Sequence, residues 1–376
     1  MSVFSKLAAV AVGGALLLAA APPAGAISIS PDTSSGTNGR VESSVQVGSD
    51  LYIGGTFTTV DGAAHSNIAA LDAASGILDA SFNVGVNGEV ASMAVSGTTL
   101  YIAGNFTTVG TASRTNVAAI DLPTGTVLPF AATPSARVAS VDVAGGVVYI
   151  GGTFTKVNGT RMPYLAGLDA TSGALISTFS PKPSAQVLIV KATSTSLYVG
   201  GNFQTIAGVA RNYVAQLDFS GNVLPWDAGL GFDSRVFNIA FDPTDATAVY
   251  LAAGGHLPNG NSVYRIDAAT GAHIFQVQVD GDVHGLVVTN GTVYAGGHFN
   301  FLKPCDSSGV CTPGAKRRKA IAISALTGQV LDWAPNFNSS LGIFNMNVAD
   351  GNLYAFGDFT TVNGKSHPHI ARFTSP

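Results

Sequence analysis

The stretch Leu51-Tyr-Ile-Gly-Gly-Thr-Phe57 decides the fold, because the chain repeats it. It returns as Leu100-Tyr-Ile-Ala-Gly-Asn-Phe106, Val148-Tyr-Ile-Gly-Gly-Thr-Phe154 and Leu197-Tyr-Val-Gly-Gly-Asn-Phe203. A looser copy runs Val249-Tyr-Leu-Ala-Ala-Gly-Gly-His256. Two more follow as Val293-Tyr-Ala-Gly-Gly-His-Phe299 and Leu353-Tyr-Ala-Phe-Gly-Asp-Phe359. The tyrosines of the seven copies stand at 52, 101, 149, 198, 250, 294 and 354, so successive gaps run from 44 to 60 residues. A period of about fifty residues signals a propeller or another repeat array.

Each period holds four β-like pieces. In the second unit the first begins at Val90, the second at Thr99, the third at Asn116 and the fourth at Thr126. Pro123-Thr-Gly125 makes the turn before the last piece, and turn residues between short β-branched runs are a hairpin signal. Four strands in each of seven units predict an all-β, seven-bladed β-propeller. The Gly-Gly pair would let neighbouring strands or blades approach closely. The fourth piece carries one large ring in each complete unit: Phe82, Phe130, Phe179, Trp226, Phe275 and Trp333. Those rings are expected to pack between blades. The seventh unit ends after Ile370-Ala-Arg-Phe373 without a fourth piece. Ile27-Ser-Ile-Ser-Pro31 resembles the Phe179-Ser-Pro stretch of that piece, so the N-terminal strand is predicted to complete the last blade. A closed ring leaves only short, protected edges.

The repeat Leu51-Tyr-x-Gly-Gly-x-Phe-Thr-Thr-Val-x-Gly62, followed by Ile68-Ala-x-Leu-Asp72, resembles a known family. It looks like the delta-sixty-type β-propeller repeat of exported bacterial proteins. It is also similar to the kelch-like repeats of fungal cortical polarity markers. The resemblance spans residues 27–376 and implies the propeller architecture. It names no activity, because that bacterial family is largely of unknown function.

The N-terminus predicts an address. Lys6 is followed by an apolar run from Leu7 to Ala21, then Pro22-Pro23 and Ala24-Gly25-Ala26. This is the pattern of a Sec-type secretory signal peptide, cleaved after Ala26. The run is shorter than the roughly 20 residues of a spanning helix, and no later stretch reaches that length. The protein is therefore expected to be secreted or at the cell surface, as one domain over residues 27–376 and a monomer. Cys305 and Cys311 are the only two cysteines. In an exported chain, so close a pair predicts a disulfide more readily than a metal site. It falls in the one insertion of the repeat, residues 302–319 in the sixth unit.

Composition excludes more than it assigns. The 376 residues carry a net charge of -4, and 11% are charged against about 25% in an ordinary domain. With 46% hydrophobic residues the chain is no disordered polar tail. Its slight acidity offers no field to attract nucleic acid or an anionic membrane.

The residue just before each first strand should face the channel mouth. It is Arg40, Glu89, Arg137, Gln186, Arg235 and Asp282, with Gly342 in the seventh unit. These are the ligand-binding candidates: they could hold a polar or anionic ligand, arginine being a bidentate donor, or neutralise one another. Glu42 and Glu89 are the only glutamates of the chain. A second set follows the Gly-Gly pair and ends with His256, His298 and Asp358 in consecutive units, with His284 nearby. Imidazoles and a carboxylate converging there would suit Zn or Cu; otherwise each satisfies local backbone. A third set, His65, Arg114, Arg161, Arg211, Arg318 and His367, suggests either an anion-binding face or pairing with repeat carboxylates such as Asp72 and Asp169. Lys316-Arg-Arg-Lys319 in the insertion would meet a phosphate-rich polymer or stay solvated.

No Gly-x-Ser-x-Gly elbow, His-Glu-x-x-His helix, sialidase Asp box or complete calcium loop occurs. No catalytic residue and no cofactor are assigned. The reading is a binding or interaction scaffold for an extracellular or cell-envelope polysaccharide or protein. The rival is a propeller lyase or hydrolase acting on a sugar or lactone at the channel mouth. Protein recovered from the medium should begin at Ile27, which N-terminal sequencing will show; a retained residue 1 would refute the processing.

Overall fold

The computed structural model describes residues 27–231, 233–256, 260–305 and 310–375. The expected signal peptide, residues 1–26, lies outside them. No helix occurs among the described residues, and none is therefore long and apolar enough to cross a membrane. Seven antiparallel sheets of three or four strands follow one another along the chain. Their innermost strands are Val41–Val47, Glu89–Ser96, Val138–Ala144, Val187–Ala192, Ser234–Asp242, Val283–Thr289 and Ile343–Ala349. Each innermost strand touches the next, and the seventh touches the first. The Tyr-x-Gly-Gly stretch forms the second strand throughout, as in Asp50–Gly55 and Val147–Gly152.

The fourth strand is shorter than the sequence suggests. Only the fifth sheet has a long one, His273–Gln278. The first and second sheets keep two residues each, Leu78–Asp79 and Thr126–Val127. The third, fourth and sixth keep a single bridge, such as Leu217 to Val223. Pro129 and Pro225 stand where that strand would continue in the second and fourth sheets; proline cannot donate to a ladder. In the seventh sheet, Asp32 bridges Arg372, and the Ser28 N–H donates to the Thr374 carbonyl at 2.9 Å.

The core lies between the sheets. One cluster joins Tyr52, Ile68 and Phe82 of the first sheet to Val90, Leu100 and Ile102 of the second. Another joins Tyr354, Phe356 and Ile370 of the seventh to Val41, Leu51 and Ile53 of the first. The aromatics foreseen for the fourth piece pack edge-on against the repeat tyrosine, except Phe275, which is tilted against Tyr250 at 6.5 Å. Tyr52 meets Phe82 at 5.0 Å, Tyr149 meets Phe179 at 5.1 Å, and Tyr294 meets Trp333 at 5.1 Å between centroids. Each such pair adds roughly 0.5–1.5 kcal/mol beyond the area it buries.

One deviation recurs in all seven innermost strands. The pairing register slips by one residue between Val41 and Ser43, Val90 and Ser92, and Val138 and Ser140. It slips likewise between Val187 and Ile189, Val236 and Asn238, Val283 and Gly285, and Ile343 and Asn345. A β-bulge of this kind bends the strand and re-aims the extra residue. The Gly-Gly pair opposite accommodates it. A Cβ on Gly55 would stand 2.1 Å from the Arg40 carbonyl oxygen, and one on Gly54 2.5 Å from Val90 of the next sheet. The side chain after the bulge then ties neighbours together. The Val141 and Val190 N–H groups of the next sheets donate to Ser92 Oγ at 3.1 Å and Ser140 Oγ at 3.0 Å. Asn238 Nδ2 donates to the His284 carbonyl at 3.0 Å.

The N-terminal segment is anchored repeatedly to the C-terminal part of the chain, including by Asn363 Nδ2 donating to the Ile29 carbonyl at 2.9 Å. Besides the two contacts above, Thr374 Oγ1 donates to Asp32 Oδ2 at 2.8 Å and Trp333 Nε1 to the Ser28 carbonyl at 3.0 Å. Deleting residues 27–33 should lower the melting temperature by about 5 °C or more, since each lost hydrogen bond contributes roughly 1 kcal/mol. A calorimetric scan with an unchanged melt would show the segment to be a loose tail.

Candidate functional site in the central cavity

The seven innermost strands enclose a cavity of about 830 Å³. The seven bulge residues all line it: Glu42, Ala91, Ala139, Leu188, Phe237, His284 and Phe344. Each is half-buried. Each repeat thus contributes its bulge residue to the cavity wall, together with other residues of the same strands.

The wall has two arcs. On the first three sheets small Ala91 and Ala139 leave room for charge. Arg40 Nε meets Glu42 Oε1 at 2.5 Å. Arg137 grips Glu89 with two bonds, Nε to Oε2 and Nη2 to Oε1, both 2.7 Å. Arg137 Nη2 also lies 3.8 Å from Glu42 Oε2. On the remaining sheets the bulge residues are apolar or aromatic, with Lys191, Asn238, His298, Asn345 and Asn347 also on the wall. His284 lies 4.3 Å from the Phe237 ring and 5.9 Å from the Phe344 ring, and Arg40 lies over Phe344 at 5.5 Å.

Burial sets the protonation of both arcs. Desolvation, reinforced by the adjacent Glu89 carboxyl, pushes Glu42 up to about 7. Burial pushes Glu89 up as well, but the hydrogen bonds from Arg137 outweigh it and hold this carboxyl below its usual range. The pair thus holds a proton on Glu42 below neutral pH while Glu89 stays ionised. Burial pushes His284 down to about 4, with Asp282 opposing and His298 reinforcing the shift, so its ring is neutral.

Of the six mouth residues foreseen from the sequence, Arg40, Glu89 and Arg137 line the cavity and Gln186, Arg235 and Asp282 do not. The Gln186 carbonyl accepts from the Asn202 N–H at 3.0 Å. Arg235 is exposed. Asp282 Oδ1 accepts from the Gly255 N–H at 3.1 Å. Sequence reasoning passed over Leu188, Phe237 and Phe344. Their signal was present: two places after each mouth residue the repeats read Glu, Ala, Ala, Leu, Phe, His, Phe, beside a column that is always Val or Ile.

The metal candidates are not brought together. His256 is exposed, with Nδ1 2.7 Å from Asp233 Oδ2. His298 lines the cavity. Asp358 accepts from Ser340 Oγ and from the Leu341 and Gly342 N–H groups at 2.9–3.0 Å, and from Ser339 Oγ. Burial pushes the Asp358 carboxyl up, but those bonds outweigh it and hold it low. Among the described residues no three His, Cys, Asp or Glu side chains group to hold a metal ion.

The third set is structural at two positions and misassigned at two. Arg114 Nη2 donates to the Leu128 carbonyl at 2.6 Å, and Arg211 Nη2 to the Leu224 carbonyl at 3.1 Å. They brace backbone rather than repeat carboxylates; Asp72 and Asp169 instead accept from Ser75 and Ser172 within their own turns. In the sixth unit Arg317, not Arg318, makes this contact, donating to Leu331 at 3.4 Å. In the third unit buried Met162 stands at the position expected of Arg161. His65 and His367 are buried. The run Lys316–Lys319 is not one basic patch: Lys316 and Arg318 are exposed, while Lys319 is buried. Cys305 and Cys311 form the expected disulfide.

The Glu42 shift has a thermodynamic consequence. The folded protein holds this proton up to about pH 7, whereas an unfolded glutamate releases it near 4.5. The folded state then binds more protons across that interval, so this group's contribution falls as pH rises through it. His284, depressed to about 4, contributes with the opposite sign below about 6.5. Glu42→Gln should therefore gain stability relative to the wild type between pH 4.5 and 7, measured as the difference in urea midpoint. A constant difference would place Glu42 in solvent.

Residues 349–375 match a family model described as a domain of unknown function (DUF5122) beta-propeller. No curated protein matches the chain. Among solved structures, the WD40 beta propeller domain of Doa1 is similar at a TM-score of 0.54 and 13% identity, covering 92% of this chain and 97% of that one. The computationally designed Ika8 protein is similar at 0.52 and 14% identity, covering 90% of this chain and 97% of that one. The fold of this all-β chain is that of a β-propeller.

Proposed function

We propose that the chain is an exported, seven-bladed β-propeller that works as a binding scaffold through its central cavity. Seven sheets whose innermost strands neighbour one another in a ring support the blade count. The N-terminal segment paired with Arg372 and Thr374 supports closure by that strand. The signal-peptide pattern of residues 1–26 supports export to the surface or medium, and the repeat resemblance supports the delta-sixty-type family.

One observation carries the binding reading. All seven bulge residues face one cavity, yet its guanidinium and carboxyl groups are spent on one another. An enzyme needs acid, base and oxyanion groups converging on a single reacting point. A binding site needs a shaped wall with a few oriented polar groups, and this cavity supplies that.

A tryptophan at Ala139 would fill the space between the arcs. A thermal-shift screen against soluble cell-wall polysaccharide, simple sugars and peptides should stabilise the wild type with at least one additive. Saturation at about 100 times its dissociation constant adds roughly 2.7 kcal/mol. The same additive should leave Ala139→Trp unshifted. A shift that survives in this variant would move the site out of the channel. Release of cleavage or elimination products from the additive would favour the rival lyase or hydrolase.

A further inference from the structure

The composition of the cavity wall points to one class of ligand, and the inference rests on the channel-binding reading above. We infer that the cavity binds a neutral pyranose ring, laid against the aromatic arc with its hydroxyl edge toward the Arg–Glu arc.

Charge argues first. The lining cations are Arg40, Arg137 and Lys191, and the lining carboxyls are Glu42, Glu89 and Asp142. Both arginines are already engaged, Arg137 clamped bidentately on Glu89 and Arg40 on Glu42, and the two sets balance once Glu42 is ionised, above about pH 7. A ligand of single charge would find both guanidinium groups and both glutamates already engaged, and breaking a half-buried pair leaves the other partner uncompensated. The anionic ligand expected for isolated arginines is thereby disfavoured.

Hydrogen bonding argues second. A sugar hydroxyl is donor and acceptor at once. An arginine beside a carboxylate offers both, and each pair here keeps spare capacity. Arg40 bonds Glu42 through Nε, leaving the N–H groups of its two terminal nitrogens. Arg137 uses Nε and one Nη2 hydrogen on Glu89, leaving Nη1. Adjacent hydroxyls on a ring match this alternation of donor and acceptor.

Shape argues third. Phe237, His284 and Phe344 form a continuous ring wall, their neighbouring centroids 4.3 and 5.9 Å apart, which meets the charged arc where Arg40 lies over Phe344 at 5.5 Å. His284 is held neutral by burial. A pyranose has flat C–H faces and a polar rim, so it presents apolar surface to such a wall and hydroxyls to the charged arc. The volume of about 830 Å³ lies within the ~300–1,000 Å³ of small-molecule sites and admits more than one sugar unit.

Calorimetric titration of the protein would use cellobiose, maltose and N,N′-diacetylchitobiose as neutral probes. Digalacturonic acid and glucosamine are the charged controls. At least one neutral disaccharide should bind saturably, with an affinity unchanged between low and high salt, because a neutral ligand brings no charge to screen. Phe344→Leu and Phe237→Leu keep apolar bulk but remove the flat face, and each should weaken that sugar by about tenfold, the scale of one aromatic contact. Circular-dichroism melts of both variants verify folding. Methyl monoglycosides against tetrasaccharides separate a free sugar from a polymer end as the source. No saturable neutral disaccharide, or tighter binding of a charged probe that weakens with salt, overturns the sugar assignment. A peptide whose binding Ala139→Trp abolishes would overturn it too, yet leave the channel-binding reading standing. A sugar that binds Ala139→Trp unchanged would overturn both.

Discussion

One surplus residue in each innermost strand governs the rest of the molecule. A regular strand would alternate every side chain between the two faces of its sheet. The bulge breaks that alternation once per repeat and turns one side chain inward. It also forces the backbone of the facing strand so close that a Cβ on Gly55 has no room. The re-aimed side chain and the inward wall are thus one geometric event repeated seven times, with a glycine pair opposite it in the first, third, fourth and sixth sheets and Ala252-Ala253 in the fifth. Nothing in that event depends on which residue is re-aimed, and the seven positions carry residues as unlike as Glu42, Ala139 and Phe344.

Around that constraint, the packing between sheets and the bulge column are kept apart. Stability resides in the wedges between sheets, where Tyr–Phe and Tyr–Trp pairs and Val, Ile and Leu side chains are buried. It is helped by Ser92 and Ser140, which accept from the next sheet's backbone. The bulge column lines the cavity instead, outside those wedges. Charged residues could collect on one arc and rings on the other without disturbing the wedges. The pairing of Arg137 with Glu89 spans two sheets, so the charged arc also fixes the relative placement of its own neighbours.

Much of this was legible in the sequence. The Tyr-x-Gly-Gly repeat gave the sheets, and the aromatic of the fourth piece gave the wedge partners, because both are local patterns reporting burial. The disulfide followed from spacing and context. The cavity wall was only half legible. Arg40, Glu89 and Arg137 were found from their place before the first strand, while Gln186, Arg235 and Asp282, at the same place, miss the cavity. A bulge leaves no mark in hydropathy, so Phe237 and Phe344 read as ordinary strand residues. Arg318 was mistaken for Arg317 because adjacent basic residues cannot be told apart until the hairpin register is known. Asp358 shares a repeat position with His298, but like position in successive sheets does not bring side chains within reach of one another, and the register puts Gly254, not His256, at that position in the fifth sheet.

The pairing of Ser28 and Asp32 with Thr374 and Arg372 has a temporal consequence. A chain is made from its N-terminus, so the segment synthesised among the first must wait for the segment synthesised last. Trp333 and Ser28 are 305 positions apart, and Asp32 and Thr374 are 342 apart. Contacts of such sequence separation carry a large loop-closure cost and form late. Until then the edge of the seventh sheet and the segment that covers it are both unsatisfied, as in other partly folded species prone to join the wrong partner. The contacts between the two ends are thus among the last to form, and a nascent chain interrupted short of residue 374 lacks the hydrogen bonds of Thr374 with Ser28 and Asp32.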